Sequence, residues 1–138
     1  MAALVMSTHI GAKTAKAAPP ELRVVGNQVK TTDGRSVRLR GLCIPSLEWS
    51  NEGENIKRSV QVGIDDWKAN VIRLPLSQDR WFGMAQWQDD GGANYRKLVN
   101  DLVQMCADKN VYMVLDLHWS NAGQWKVWNR QLRMPDWN

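Results

Sequence analysis

Hydrophobic and polar positions show no period up to Pro20 and become patterned from Leu22 onward. Leu22 to Val25 and Gln28 to Thr31 flank a Gly26-Asn27 pair, which predicts a small hairpin, and Asp33-Gly34 is a second turn signal. The next stretch, Ser36 to Cys43, sets Val37, Leu39 and Gly41 against Arg38, Arg40 and Leu42 and predicts a strand. A polar loop, Pro45 to Gly53, separates it from a helix expected from about Glu54 to Ala69. Its apolar positions Ile56, Val60, Ile64 and Trp67 recur at spacings of three and four. Asn51 is placed to cap that helix, and Asn70 suits the left-handed residue that ends it.

Val71 to Leu76 reads as a short strand closed by Pro75, followed by a Trp- and Gly-rich loop from Ser77 to Gly92. The second helix, Asn94 to Lys109, carries one stripe of Tyr95, Leu98, Val99, Leu102, Val103 and Cys106. Asn110 ends it. Val111 to Leu117 is then nearly continuous in apolar residues, as in a strand covered on both faces. The order βαβαβ predicts a parallel sheet with right-handed crossovers.

Two architectures share this order, an open doubly wound sheet and a closed (β/α)8 barrel. The open sheet would usually carry a Gly-rich phosphate loop after a strand, and neither G-x-G-x-x-G nor a P-loop is present. Polar residues stand at the strand ends instead. Period two puts Val71 and Arg73 on one face and Ile72 and Leu74 on the other. Likewise Tyr112, Val114, Asp116 and His118 share a face, opposite Val111, Met113, Leu115 and Leu117. The apolar face should meet the helices. The face bearing Arg73 and His118 should look into a barrel and reach its C-terminal mouth, where such folds do their chemistry.

Composition sharpens this picture. The chain has 138 residues, 43% hydrophobic and 23% charged, enough for one folded domain or part of a larger one. Its +4 charge is scattered, with no basic cluster beyond Arg38 and Arg40, so a nucleic-acid partner is not indicated. The longest apolar runs fall well short of the roughly 18 residues that a membrane span needs. Two cysteines and two histidines argue against a disulfide framework or a zinc site, and both Cys43 and Cys106 are expected as buried free thiols. Residues 1 to 21 read as a leader outside the domain. Ala2 to Met6 is short and apolar, and Ala15-Lys16-Ala17 has the small-x-small form of a cleavage site. A secretory signal remnant, which would place the protein outside the cell, and a disordered linker both fit.

Tryptophan is the unusual residue: eight Trp beside two Tyr and one Phe. Only Trp67 falls on a predicted helix. Trp49, Trp81, Trp87, Trp119, Trp125, Trp128 and Trp137 all follow strands and so belong to one rim. An indole has a flat apolar face with an N–H at its edge, which suits the C–H face and hydroxyl rim of a pyranose. About half of these rings are expected to pack loops instead.

The segments LRVVGNQVKTTDGRSVRLRGL, NVIRLPLS and VYMVLDLHWSNAGQW, with NRQLRMPDWN behind them, resemble the N-terminal third of glycoside hydrolase family five, the cellulase family of clan A barrels. The resemblance runs from about Leu22 to Asn138 and is carried chiefly by R-L-P and D-L-H-W. It implies the N-terminal part of a (β/α)8 barrel, about three of its eight strands, with a small hairpin before it. It also implies hydrolysis of β-1,4-linked polysaccharide, endo-acting and retaining, with no metal or organic cofactor. Arg73 would support the nucleophilic glutamate and His118 would hold the sugar at the cleavage point. Trp49, Trp119, Asn121 and Trp125 would contact the substrate, a β-linked polysaccharide or oligosaccharide. The family usually has Asn where this chain has Cys43.

A guanidinium beside a carboxylate favours its ionised form, as a nucleophile requires. Arg73 paired with Asp116 inside the barrel is the alternative. Both catalytic glutamates of the family lie on its fourth and seventh strands, whereas the glutamates here are Glu21, Glu48, Glu52 and Glu54, all before the second barrel strand. Residues 22 to 138 are therefore expected to be a catalytic domain cut before its fourth strand, inactive and poorly soluble alone. Two rival readings remain: a non-catalytic carbohydrate-binding module that uses the Trp rim, and another barrel chemistry such as an aldolase, which would need a strand-end Lys that is absent. No oligomeric state follows from the residues.

Overall fold

The computed structural model describes residues 18–119. A two-stranded antiparallel hairpin, β1 (Leu22–Val25) and β2 (Gln28–Thr31), precedes a three-stranded parallel sheet of β3 (Gly41–Cys43), β4 (Val71–Ser77) and β5 (Tyr112–Trp119), in the order β3-β4-β5. Between the strands run α1 (Ile56–Asp65), a one-turn α2 (Gln78–Trp81) and α3 (Ala93–Asp108). The expected hairpin and βαβαβ order both form. Among the described residues no β-sandwich forms.

One core joins the two long helices to one face of the sheet. Ile56, Val60 and Ile64 of α1 and Tyr95, Val99, Leu102 and Cys106 of α3 pack with Ile44, Ile72, Leu74 and Leu76. Gly63 brings α1 close to the sheet, where a Cβ would lie 2.8 Å from Leu42 Cδ1. Both helices thus cover the face that carries Ile72 and Leu74. The opposite face holds Arg73, Asp116 and His118 and receives neither helix.

Several details depart from the pattern. The strand expected from Ser36 shrinks to Gly41–Cys43, because Val37 turns back to bond Val29 (2.8 Å) instead of entering the sheet. Helix α1 starts at Ile56 and stops at Asp65. Asn51 does not cap it; the Asn51 amide is engaged by Arg80 and reaches the Gln86 carbonyl. Lys68, not Asn70, takes the left-handed conformation after it (φ 57°). Asn70 instead stitches β3 to β4: its Oδ1 accepts from Arg40 N–H (2.7 Å) and its Nδ2 donates to Arg38 C=O (2.9 Å). Trp67 lies beyond the helix and is exposed.

Pro75 does not close its strand either. Arg73 C=O accepts from Ile44 N–H at 3.0 Å, so alternate residues of β4 point their backbone groups towards β3. Pro75 shares that direction, but β3 has its last partner at Arg73, so no ladder donor is lost. The loop after β4 contains α2, which the pattern missed. Val111, just before β5, and Met113 on it reach the core as expected, but Leu115 and Leu117 are 47% and 46% exposed. The described elements leave that end of the strand partly open. Finally, Cys106 is buried as expected whereas Cys43 is exposed, because Cys43 stands on the polar face of the sheet.

Most of the leader read at residues 1 to 21, namely 1–17, lies outside the described residues. Its end at Pro20 is tied down, with Pro20 C=O accepting from Tyr112 Oη at 2.7 Å.

Candidate functional site

Parallel pairing puts Cys43 beside Arg73 and Arg73 beside Val114, with Asp116 and His118 two and four residues further along the same face. The side chains converge there. Arg73 Nη1 donates to Cys43 Sγ at 2.9 Å, and Nη2 pairs with Asp116 Oδ2. His118 Nδ1 lies 2.9 Å from the same Asp116 oxygen and 3.2 Å from Arg73 Nη2. The structure therefore makes the Arg73–Asp116 pair and adds His118 to it. The Cys43 sulfur and then Asp116 hold the guanidinium above its ordinary pKa, so it stays charged.

A guanidinium only donates and a carboxylate only accepts, so His118 Nδ1 serves one of them at a time. Arg73 is already engaged by Cys43 and Asp116. Nδ1–H donated to Asp116 satisfies the carboxylate and leaves Nε2 as an acceptor. With side chains 40% and 38% exposed, Arg73 and His118 remain open to a ligand.

Beside this group stands an aromatic rim. Trp119 follows His118 directly, and its ring centroid is 6.1 Å from that of Trp49, at 49°. Trp49 Nε1 donates to Glu54 Oε1 at 2.9 Å, which fixes the indole. Trp49, Asn51, Glu54, Arg80, Gln86 and Trp87 line a cleft of about 470 Å³. Its floor is tied to the core. Arg80 Nε donates to Glu48 C=O at 3.1 Å, and Glu48 Oε2 accepts from Ser46 N–H at 2.8 Å. Burial lowers the Arg80 pKa from its usual value.

The loops hang on Tyr95. Its Oη donates to Leu47 C=O (2.8 Å) and accepts from Ser77 N–H (3.1 Å), bridging the loop that follows β3 to the end of β4. Burial drives its pKa well above 10.

Of the residues expected at the site, Arg73, His118, Trp49 and Trp119 come together at one end of the sheet. Asn121 and Trp125 lie outside the described residues, as do Trp128 and Trp137. Trp81 packs on the core, as expected of some rim indoles. The pattern missed the Arg80–Asn51–Glu54 floor. Its one signal was the density of polar residues among indoles in the two loops. Among the described residues, no group of three His, Cys, Asp or Glu side chains is placed to hold a metal ion.

The sequence model of the family Cellulase (glycosyl hydrolase family 5) matches residues 30–134. The chain belongs to that family. It is 26% identical over 126 residues to an endoglucanase of Clostridium saccharobutylicum, covering 83% of this chain and 26% of that protein. Endoglucanase MaCel5A of Microbulbifer sp. (strain ALW1) is 26% identical over 109 residues, covering 75% of this chain and 19% of that protein. Endoglucanase CelA of Streptomyces lividans is 26% identical over 110 residues, covering 75% and 21%. The chain thus spans about a quarter or less of the length of these curated relatives. The solved structure of Cellulase Cel5C_n superposes with a TM-score of 0.54 at 24% identity, over 73% of this chain and 31% of that one. The fold is the N-terminal part of a (β/α)8 barrel, with β3, β4 and β5 as adjacent staves. The polar face of the sheet is the inner face of that barrel.

Proposed function

We propose that this chain supplies one flank of the active site of a retaining, endo-acting glycoside hydrolase for β-1,4-linked glucan. The reading rests on the convergence of Arg73, Asp116 and His118 beside the Trp49–Trp119 pair, at the C-terminal ends of parallel strands. Trp49 and Trp119, with Asn121 and Trp125, bind the polysaccharide. His118 Nε2 accepts from a sugar hydroxyl at the cleavage point while Asp116 holds the ring. Arg73 keeps the nucleophilic carboxylate ionised, with Asp116 as its partner until that carboxylate is present.

A retaining mechanism needs two carboxyl groups about 5–5.5 Å apart, one as acid/base and one as nucleophile. Glu48 is spent on Ser46 N–H, and Glu54 on the Trp49 indole. Asp116 is one carboxylate already paired twice. Residues 22 to 138 are thus a partial catalytic domain that binds glucan without cleaving it. A polymeric glucan substrate agrees with a secreted protein and with the signal-remnant reading of residues 1 to 21. No helix among the described residues is long and apolar enough to cross a membrane.

The test is native electrophoresis of the chain through gels containing soluble β-glucan, mannan or xylan, paired with a reducing-sugar assay. Retardation by β-glucan that weakens in Trp49→Ala, with no sugar release, is the expected result. Sugar release above a boiled control would overturn the inactivity. Migration unaffected by any glycan would overturn the binding.

A further inference from the structure

Trp87 is 87% exposed, and its backbone sits in the left-handed region at φ 68°. A bulky side chain rarely adopts that conformation, and here it contributes little burial to the fold in return. Its neighbours hold it in place. Gln86 C=O accepts from Asn51 Nδ2 at 3.5 Å, and Gln88 Nε2 donates to Arg80 C=O at 2.9 Å. The loop therefore presents an indole outward at a set position on the cleft, in the same opening as Trp49.

Three indoles stand at or beyond the end of the strand that carries His118. Trp119 follows His118 in the chain, Trp49 packs on Trp119 at 6.1 Å, and Trp87 borders the cleft on which Trp49 also opens. The polar groups between Trp49 and Trp87 are mixed: the Arg80 guanidinium donates, the Glu54 carboxylate accepts, and the Asn51 and Gln86 amides do both. Donors and acceptors of balanced charge match the hydroxyls of a neutral sugar. A uronic acid would meet the Glu54 carboxylate.

We infer that Trp87 and Trp49 form an outer subsite for a neutral pyranose unit of the glucan, beyond the Trp49–Trp119 pair and remote from the cleavage point. The inference rests on the glucan-binding reading above and adds a residue and a ligand length to it. Chains of five or six glucose units reach the cleft, whereas two or three units are held near His118 alone.

The test is calorimetric titration of the 138-residue chain with cello-oligosaccharides of two to six units, beside Trp87→Ala and Trp87→Tyr. Affinity should rise with length in the parent chain. Trp87→Ala should weaken binding of the six-unit ligand about five- to tenfold, the scale of one lost aromatic contact, and leave the two-unit ligand unchanged. Trp87→Tyr should restore most of the loss. Equal affinity of Trp87→Ala and the parent chain for six units would overturn the subsite while leaving the glucan reading intact, as would affinity independent of length in the parent. No binding of any oligosaccharide by the parent chain would overturn both. Circular dichroism of each variant checks the fold. If Trp87→Ala fails to fold, the length dependence in the parent and in Trp87→Tyr decides the matter.

Discussion

Replacing Tyr95 by Phe removes one oxygen from the densest point of the structure. Tyr95 is 1% exposed, and both partners of its hydroxyl, Leu47 and Ser77, are fully buried. The ring of Phe fills the same space, so no large cavity forms. What is lost is the acceptor for Ser77 N–H and the donor to Leu47 C=O, 3.1 and 2.8 Å away. Leaving a buried backbone group unpaired costs about 1–3 kcal/mol, so the two together should lower stability by about 2–4 kcal/mol, allowing for partial relaxation. In urea, with a slope of about 1–3 kcal/mol per molar, the midpoint of unfolding should fall by roughly 1–2 M. Tyr112→Phe is the control: its hydroxyl bonds Pro20 C=O at an exposed site, and its loss should cost at most about 0.5 kcal/mol. The variant should also loosen the Trp49 loop, since Leu47 precedes it by two residues. A loss below about 0.5 kcal/mol for Tyr95→Phe would refute the reasoning, because it would mean that water reaches both groups.

Four further outcomes follow from named contacts. Gly41→Ala places a Cβ 1.7 Å from the Val71 carbonyl oxygen and should break the β3–β4 pairing, whereas Gly63→Ala meets only the end of the Leu42 side chain and should be well tolerated; thermal melts of the two compare them. Burial pushes the Cys106 thiol up to about 11 from 9.0, so the folded state keeps a proton that the unfolded state loses. Stability should therefore fall by up to about 2–3 kcal/mol as pH rises from 9 to 11, and Cys106→Val should flatten the early part of that decline, before Tyr95 adds to it above pH 10. Asp90 accepts from Asn94 N–H (2.7 Å) and Gly92 N–H (2.9 Å) at the start of α3, and these bonds hold its pKa below the usual carboxylate value. Its stabilisation is present above that value and is lost as pH falls through the lowered one, so Asp90→Ala should show a shallower acid unfolding profile by circular dichroism. Nitrogen-15 NMR above pH 8 should find His118 mainly protonated at Nδ1, and Asp116→Ala should shift it to Nε2 while Asp116→Asn retains part of the original state. A parent chain already protonated at Nε2 would mean that Nδ1 accepts from Arg73.

Local pattern reached far into this molecule. Period two along Val71–Leu76 and Val111–Leu117 was enough to separate the core face from the polar face, because a strand has only two sides. The same count put Arg73 and His118 on one side, and the indoles on the loops beyond the strand ends. Helix α3 was legible almost to the residue, since its stripe and its Asn110 terminator are local features. Where elements end was less legible, because ending depends on distant partners. Pro75 continues a strand because β3 has already stopped, and Asn51 leaves its cap because Arg80, 29 residues away, claims it. Contacts that carry the site are of this second kind. The meeting of Arg73 with Cys43 and Asp116, 30 and 43 positions apart, needs the parallel register, and so does the Tyr95 bridge between the loop after β3 and the end of β4. Sequence by itself determined which faces are apolar and which residues could do chemistry. Tertiary structure alone decided which of them touch, because register and loop packing are set by contacts between segments that no local period encodes.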